Sequence, residues 1–274
     1  MLQLFPVYKK RMLLNVGIWI GFLAVSIILF PNVPPAVVLL AGVAGTLVFM
    51  FLQYMHAVGM HNGLLNVLYN EMDVDRFLRQ YEPLVNVPVK NNQLYLMVRL
   101  HLSNAYCAQG RFEDAISLLR ATEVKQDKPD KMELTRFAIA SNLCYCAEQM
   151  NDLDAAQKHL DDLLVHKARL EELQKSKPEK KRMTFSTALN EQCMKFLKTG
   201  KADIEFLKSQ VQANNNQQLH RITTSLWIAR AYLAENNRRE AVKLLEQIVK
   251  LAPDLYPGQE AARMLAALPG GEEA

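Results

Sequence analysis

"HLSNAYCAQGRFEDAISLLRA", residues 101 to 121, reads as two short amphipathic helices around one break. Leu102, Ala105 and Tyr106 fall at the three- and four-residue spacing that lines one helical face. Gly110 supplies the break, because glycine tolerates the left-handed geometry that ends a helix. Phe112, Ala115, Ile116 and Leu119 line one face of the second helix, with Ala115 small where the two helices must approach closely. The arrangement returns in "NLCYCAEQMNDLDAAQKHLDDLL", residues 142 to 164. There Leu143 stands for Leu102, Ala147 for Tyr106, Asn151 for Gly110 and Ala156 for Ala115. It returns again in "AYLAENNRREAVKLLEQIVKLAPD", residues 231 to 254, with Tyr232, Asn236, Ala241 and Leu245 in the matching places. Pro253 stops that second helix.

This pattern resembles the tetratricopeptide repeat, a helix–turn–helix unit of about 34 residues. A further unit near 185–213 has Phe196 and Gly200 in register but Glu205 where the family has alanine. Leu102 and Leu143 are 41 positions apart. The excess over one period is assigned to an elongated connection, "TEVKQDKPDKMEL". "KARLEELQKSKPEKKR", residues 167 to 182, reads as an extended second helix followed by a charged loop. The stretch 258–268 reads as a solvating terminal helix, which a stack needs because each unit buries its face only against neighbours. The tail, 269–274, reads as disordered. The fold class is therefore all-α, with an α-solenoid of about four helical hairpins over 93–268.

The beginning of the chain has a different composition. Lys9, Lys10 and Arg11 are followed by no charged residue until Glu71. Two apolar runs occupy that gap, at about 12–30 and 35–55, each near the ~20 residues a helix needs to cross a bilayer. Pro31, Pro34 and Pro35 between them cannot continue a helix, so the runs read as a transmembrane hairpin. The region 1–57 is the expected anchor, and 58–92 a juxtamembrane helical pair with Asp73 as a helix N-cap. The three cations favour the cytoplasmic side, which puts both the N-terminus and the C-terminal domain there, in a two-span plasma-membrane protein. Gly17 and Gly21 in the first run, and Ala41 and Gly45 in the second, permit close helix approach. Packing of the two spans on each other uses such faces; a homodimer through the first span would use them too.

Removing Lys9, Lys10 and Arg11 from the 32 cations leaves 29, against 28 acids. That near-neutral remainder lacks the basic stripe of a nucleic-acid reader. Cys107, Cys144, Cys146 and Cys193 lie within helical patterns and read as buried thiols of a reducing compartment. Cys144 and Cys146 are two apart on a helix and point to different faces, so they chelate a metal badly. His56, Met60 and His61 read as interfacial packing rather than a copper site, and Lys175–Arg182 as a solvated loop or a contact to anionic lipid. No phosphate-binding glycine loop, HExxH or GxSxG is present. Neither a cofactor nor an enzymatic activity is expected.

The resemblance implies a concave groove lined by first helices, and the matching positions are His101, Asn104, Asn142, Tyr145, Trp227 and Arg230. Some members of that family grip a partner's C-terminal carboxylate with two asparagines and several cations. Asn104 and Asn142 match the asparagines, but Leu100 and Glu191 stand at two cationic positions. The sequence thus reads as a membrane-anchored scaffold or adaptor offering its groove to a protein partner. The alternative is a structural subunit of a larger membrane complex, held through its hairpin.

Overall fold

The computed structural model describes residues 14, 16–21, 24–26, 28, 34–86, 92–124, 128–175, 186–213 and 217–268. All regular structure among these residues is helical. Helix α1, Pro35–Asn66, starts on a proline whose missing N–H is no loss in a first turn. It passes without a break into a π-helical turn, Val67–Glu71, which Met72 ends at φ 58°. Helix α2, Val74–Tyr81, is capped by Asp73, whose carboxylate accepts from the Arg76 N–H at 2.9 Å. A 3-10 turn, Glu82–Asn86, follows α2.

Four helical pairs and a terminal helix follow. They are α3 (Asn92–Ala108) with α4 (Phe112–Arg120), and α5 (Pro129–Gln149) with α6 (Leu153–Lys175). Then come α7 (Ala188–Thr199) with α8 (Ile204–Ala213), α9 (Gln218–Ala234) with α10 (Arg238–Leu251), and α11 (Tyr256–Ala266). The turn positions read from the sequence share one backbone geometry. Gly110, Asn151, Gly200 and Asn236 all have positive φ, at 77°, 57°, 68° and 60°. In three of these turns the N–H after the left-handed residue bonds back five residues, Arg111 to Tyr106, Asp152 to Ala147 and Asn237 to Tyr232. Gly110 is needed twice over, since a Cβ there would also meet the Tyr256 ring at 3.1 Å.

Ala115, Ala156 and Ala241 are fully buried, as close-approach positions require. The fourth unit departs from this. Glu205, at the alanine position, is exposed, and α8 packs on α9 instead. A carboxylate cannot fill a close helix crossing without losing its hydration. A second departure concerns the long connection after the first repeat. Part of its excess length forms helix, because Pro129 starts α5 about one turn earlier relative to Leu143 than Asn92 starts α3 relative to Leu102.

The stack closes on itself. One hydrophobic core joins Ala57 and Leu64 of α1, Val67 and Leu68 of the π-turn, and Phe77 of α2 to Leu102 of α3. The same core contains Leu226 of α9, Leu245 of α10 and Ala261 of α11. At the other end of the ring Tyr256 of α11 meets Phe112 of α4 edge-on at 4.8 Å. An open superhelix would leave these faces to solvent; here the first and last units cover each other.

The upper part of α1 is different. One helical stretch among the described residues, Ala36–Glu71, is long and apolar enough to cross a membrane, with mean hydropathy 2.2 and 6% of that apolar window buried. The expected first span falls only in part within the described residues, where it forms a shorter apolar helix, Val16–Ser26. Trp19 from that stretch lies against Gly45, where a Cβ would meet the indole at 3.0 Å. A Cβ on Gly17 or Gly21 would meet nothing within 4 Å among the described residues. Ala41 is likewise exposed. The tail 269–274 and most of the basic loop, 176–185, lie outside the described residues.

Ala241→Leu forces extra volume between α10 and its neighbours and should cost about 1–3 kcal/mol. Glu246→Leu, on the exposed side of the same helix, should stay within about 0.5 kcal/mol of wild type. Thermal melts of the detergent-solubilised chain compare the two, and equal melting points would contradict the repeat register.

Candidate functional site: an inward-facing cavity

The first helices of all four pairs turn one stripe toward a common centre. Asn104 and Cys107 come from α3, Asn142, Tyr145 and Glu148 from α5, Asn190 and Cys193 from α7, and His220, Thr223 and Trp227 from α9. Between them lies a cavity of about 160 Å³. That is below the ~300–1,000 Å³ of pockets that take drug-sized ligands, and it has no room for a partner helix. The stripe that the resemblance assigned to a groove thus borders a small, partly open cavity.

The six groove positions have separate fates. Asn142 Nδ2 donates to Asn104 Oδ1 and to Ser103 Oγ, both at 3.1 Å. Asn104 Nδ2 donates to the Tyr69 hydroxyl at 2.7 Å, and that hydroxyl donates onward to His101 Nδ1 at 2.9 Å. The two asparagines thus hold the chain's own π-turn rather than a carboxylate. The π-turn makes this possible, since its wider winding brings three consecutive side chains, Val67, Leu68 and Tyr69, into the core. His101 does not line the cavity; it faces Tyr81 and His61, with ring centroids 6.2 and 5.9 Å away. Tyr69 also stacks on His220 at 5.3 Å, which seats the end of α1 against α9.

Trp227 and Tyr145 reach the cavity, but Trp227 is only 3% exposed and meets Phe196 edge-on. Arg230 lies over the Trp227 ring at 4.6 Å. Its guanidinium donates to Gln149 Oε1 and to Glu260 Oε1, each at 3.3 Å, so the terminal helix α11 takes up the cation. Arg263 pairs with the same Glu260.

The four cysteines are free and buried. Cys107 and Cys146 face each other with sulfurs 3.3 Å apart, a thiol contact well beyond the ~2.05 Å of a disulfide. Cys144 turns the other way and donates to Glu148 Oε1 at 3.3 Å. His56 is exposed and His61 buried, so these neighbours do not converge on a metal. Among the described residues no group of three His, Cys, Asp or Glu side chains is placed to hold one.

Glu148 is the residue that sequence reasoning missed. It is 2% exposed and borders the cavity. Burial drives its pKa up to about 8, against the smaller opposing effect of hydrogen bonds with Cys144 and Asn190. Its signal was present, since Glu148 follows Ser141 by seven positions and Tyr145 by three, on the very stripe assigned to the groove. His101 is shifted the opposite way, down to about 4, by burial and then by His61.

Residues 224–254 and 99–131 match tetratricopeptide repeat family models. The two matches support a tetratricopeptide repeat protein. They coincide with α9–α10 and α3–α4, the two pairs whose ends share the common core. No curated protein and no solved structure matches the chain. Tetratricopeptide repeats serve protein–protein interaction in general, which fits a site without a catalytic constellation.

Tyr69→Phe leaves the Asn104 amide and His101 Nδ1 without their partner and should cost about 1–3 kcal/mol in thermal melts. The two shifted pKa values oppose each other. Glu148 contributes stability that is complete below its unfolded pKa and is lost as pH rises through about 8. His101 contributes stability present above its unfolded pKa of 6.5 and lost as pH falls through about 4, on the order of 3 kcal/mol in all. Glu148→Gln should therefore melt above wild type at alkaline pH and near it at pH ~5. Its melting point should also fall more steeply on acidification, because only the histidine effect remains. Parallel melting curves for the two proteins would contradict the Glu148 assignment.

Proposed function

We propose that the chain is a membrane-anchored interaction scaffold, with a tetratricopeptide-like ring fixed to the cytoplasmic face through α1. The observation that carries this is the continuity of α1. Val37, Leu40, Val43, Leu47 and Phe51 of its upper part are exposed, whereas Ala57, His61 and Leu64 of its lower part are buried in the ring. An apolar helix left exposed over ~20 residues is stable in hydrocarbon and not in water. A soluble core helix would instead be covered on most sides. Because no flexible linker intervenes, the anchor and the ring move as one body, which holds the ring's outer face at a set angle to the bilayer.

The two-span hairpin belongs to this proposal. The contact of Trp19 with Gly45 supports an antiparallel return, and Lys9, Lys10 and Arg11 favour the cytoplasmic side. A Cβ on Gly17 or Gly21 would meet nothing within 4 Å among the described residues, which leaves that face available to a second copy or to lipid. Since the first-helix stripe is turned inward, a protein partner meets the outer helices, where Leu153, Leu164 and Val165 of α6 are exposed.

Topology is read by impermeant thiol labelling, helped by the burial of all four native cysteines. A cysteine substituted for Asn32 should label from outside intact cells, and one substituted for Gln247 on α10 should not. The reverse would place the ring outside and end the cytoplasmic assignment. Photocrosslinking separates scaffold from membrane subunit. Crosslinks to another protein from Leu164 support the scaffold, whereas protein crosslinks from Leu47 alone would mean that the anchor is the functional contact.

A further inference from the structure

The cavity holds a buried acid, Glu148, whose hydrogen-bond partners among the described residues are neutral. They are the Cys144 thiol and the Asn190 amide. The other titratable groups around it are Tyr145 on its own helix, Cys193 on α7 and, from α3 and α9, Cys107 and His220. Of the two arginines of α9, Arg230 is bound to Gln149 and Glu260, and Arg221 donates to Gln218. Buried carboxyl groups are normally paired or absent, because an ionised carboxylate without a counter-charge is costly to bury. A glutamine at 148 would make the same neutral contacts without that liability.

The rest of the lining suits a particular visitor. Asn104, Asn142 and Asn190 offer amide carbonyls, Thr223 a hydroxyl, and Trp227 an aromatic face of the kind that attracts cations. At about 160 Å³ the space suits one short unbranched chain rather than a folded peptide. From this juxtaposition of a buried carboxyl with amide and aromatic walls, we infer that the cavity binds an alkylammonium group, with Glu148 as its counter-ion. On binding, the Glu148 carboxylic acid loses its proton to solvent, and the resulting carboxylate accepts hydrogen bonds from the ammonium. The group is supplied either by a free amine or by a lysine side chain of a partner. The site does not depend on the anchored-scaffold reading, because the cavity is lined by the helices of the ring itself.

The test is calorimetric titration of the full chain in detergent with n-butylammonium chloride, with 1-butanol as the uncharged control. Butylammonium should saturate one site, release close to one proton at pH ~6.5, and bind about tenfold more tightly per pH unit up to pH ~7.5. Glu148→Gln, checked for an unimpaired melting point, should weaken binding by more than about tenfold and abolish the proton release. Thr223→Phe, which fills the cavity and keeps the acid, should block binding without raising the pH sensitivity of folding. A glycine-rich peptide with one central lysine forms a further arm. Competition by this peptide assigns the group to a partner's side chain, and binding of butylammonium alone assigns it to a free amine. Butanol binding as tightly as butylammonium, affinity unchanged in Glu148→Gln, or no saturable binding by butylammonium would each overturn the inference.

Discussion

Everything else in the molecule depends on the burial of the lower end of α1 against the last repeat. A long apolar helix can fray into a linker at its end or be captured by the domain that follows it. Here Ala57, Leu64, Val67 and Leu68 enter the same core as Leu226, Leu245 and Ala261. That core ties the beginning of the described ring to its end. Opening the ring would expose those apolar faces together, at roughly 25 cal/mol for each Å². The closure is thus cooperative, and it fixes how the domain stands relative to the apolar helix above it.

Closure changes what a tetratricopeptide-like stripe can do. In an open stack the first helices would face solvent and offer several turns of groove. In this ring they face one another across a small cavity, and their polar residues are spent on the chain's own segments. Asn104 holds Tyr69, Asn142 holds Asn104, and Arg230 holds Glu260. Each bond joins elements far apart in sequence. What a partner helix would have supplied is supplied by the π-turn and by α11.

Glu148 stands against this economy of paired groups. The cavity around it is large enough for a guest and too small for a peptide segment, and the residue's neutrality rests on burial alone. Its opposition to His101 also bears on stability. One group loses stability on alkalinisation and the other on acidification, so the ring is held most firmly between their two titrations.

Much of the architecture was legible in the sequence because it is local. Helix boundaries, the glycine and asparagine turns and the three buried alanines follow from periodicity within some twenty residues, and the physics of a helical hairpin acts over that range. The apolar stretch of α1 was legible for the same reason. The π-turn left no mark of its own, since its winding answers to Tyr69 meeting Asn104 and His101 some 32 to 35 positions later. Closure was beyond reach, because a stack of amphipathic pairs is equally well written for an open or a closed curvature. Part of the linker after the first repeat went to helix rather than loop because α6 offered a long surface for α5 to pack on, where Glu133 meets His166 at 2.7 Å. The sequence by itself determined the helices, their turns and their apolar faces, through interactions between near neighbours. Only the tertiary structure decided that those faces close into a ring and enclose Glu148, because that choice rests on contacts between residues a hundred or more positions apart.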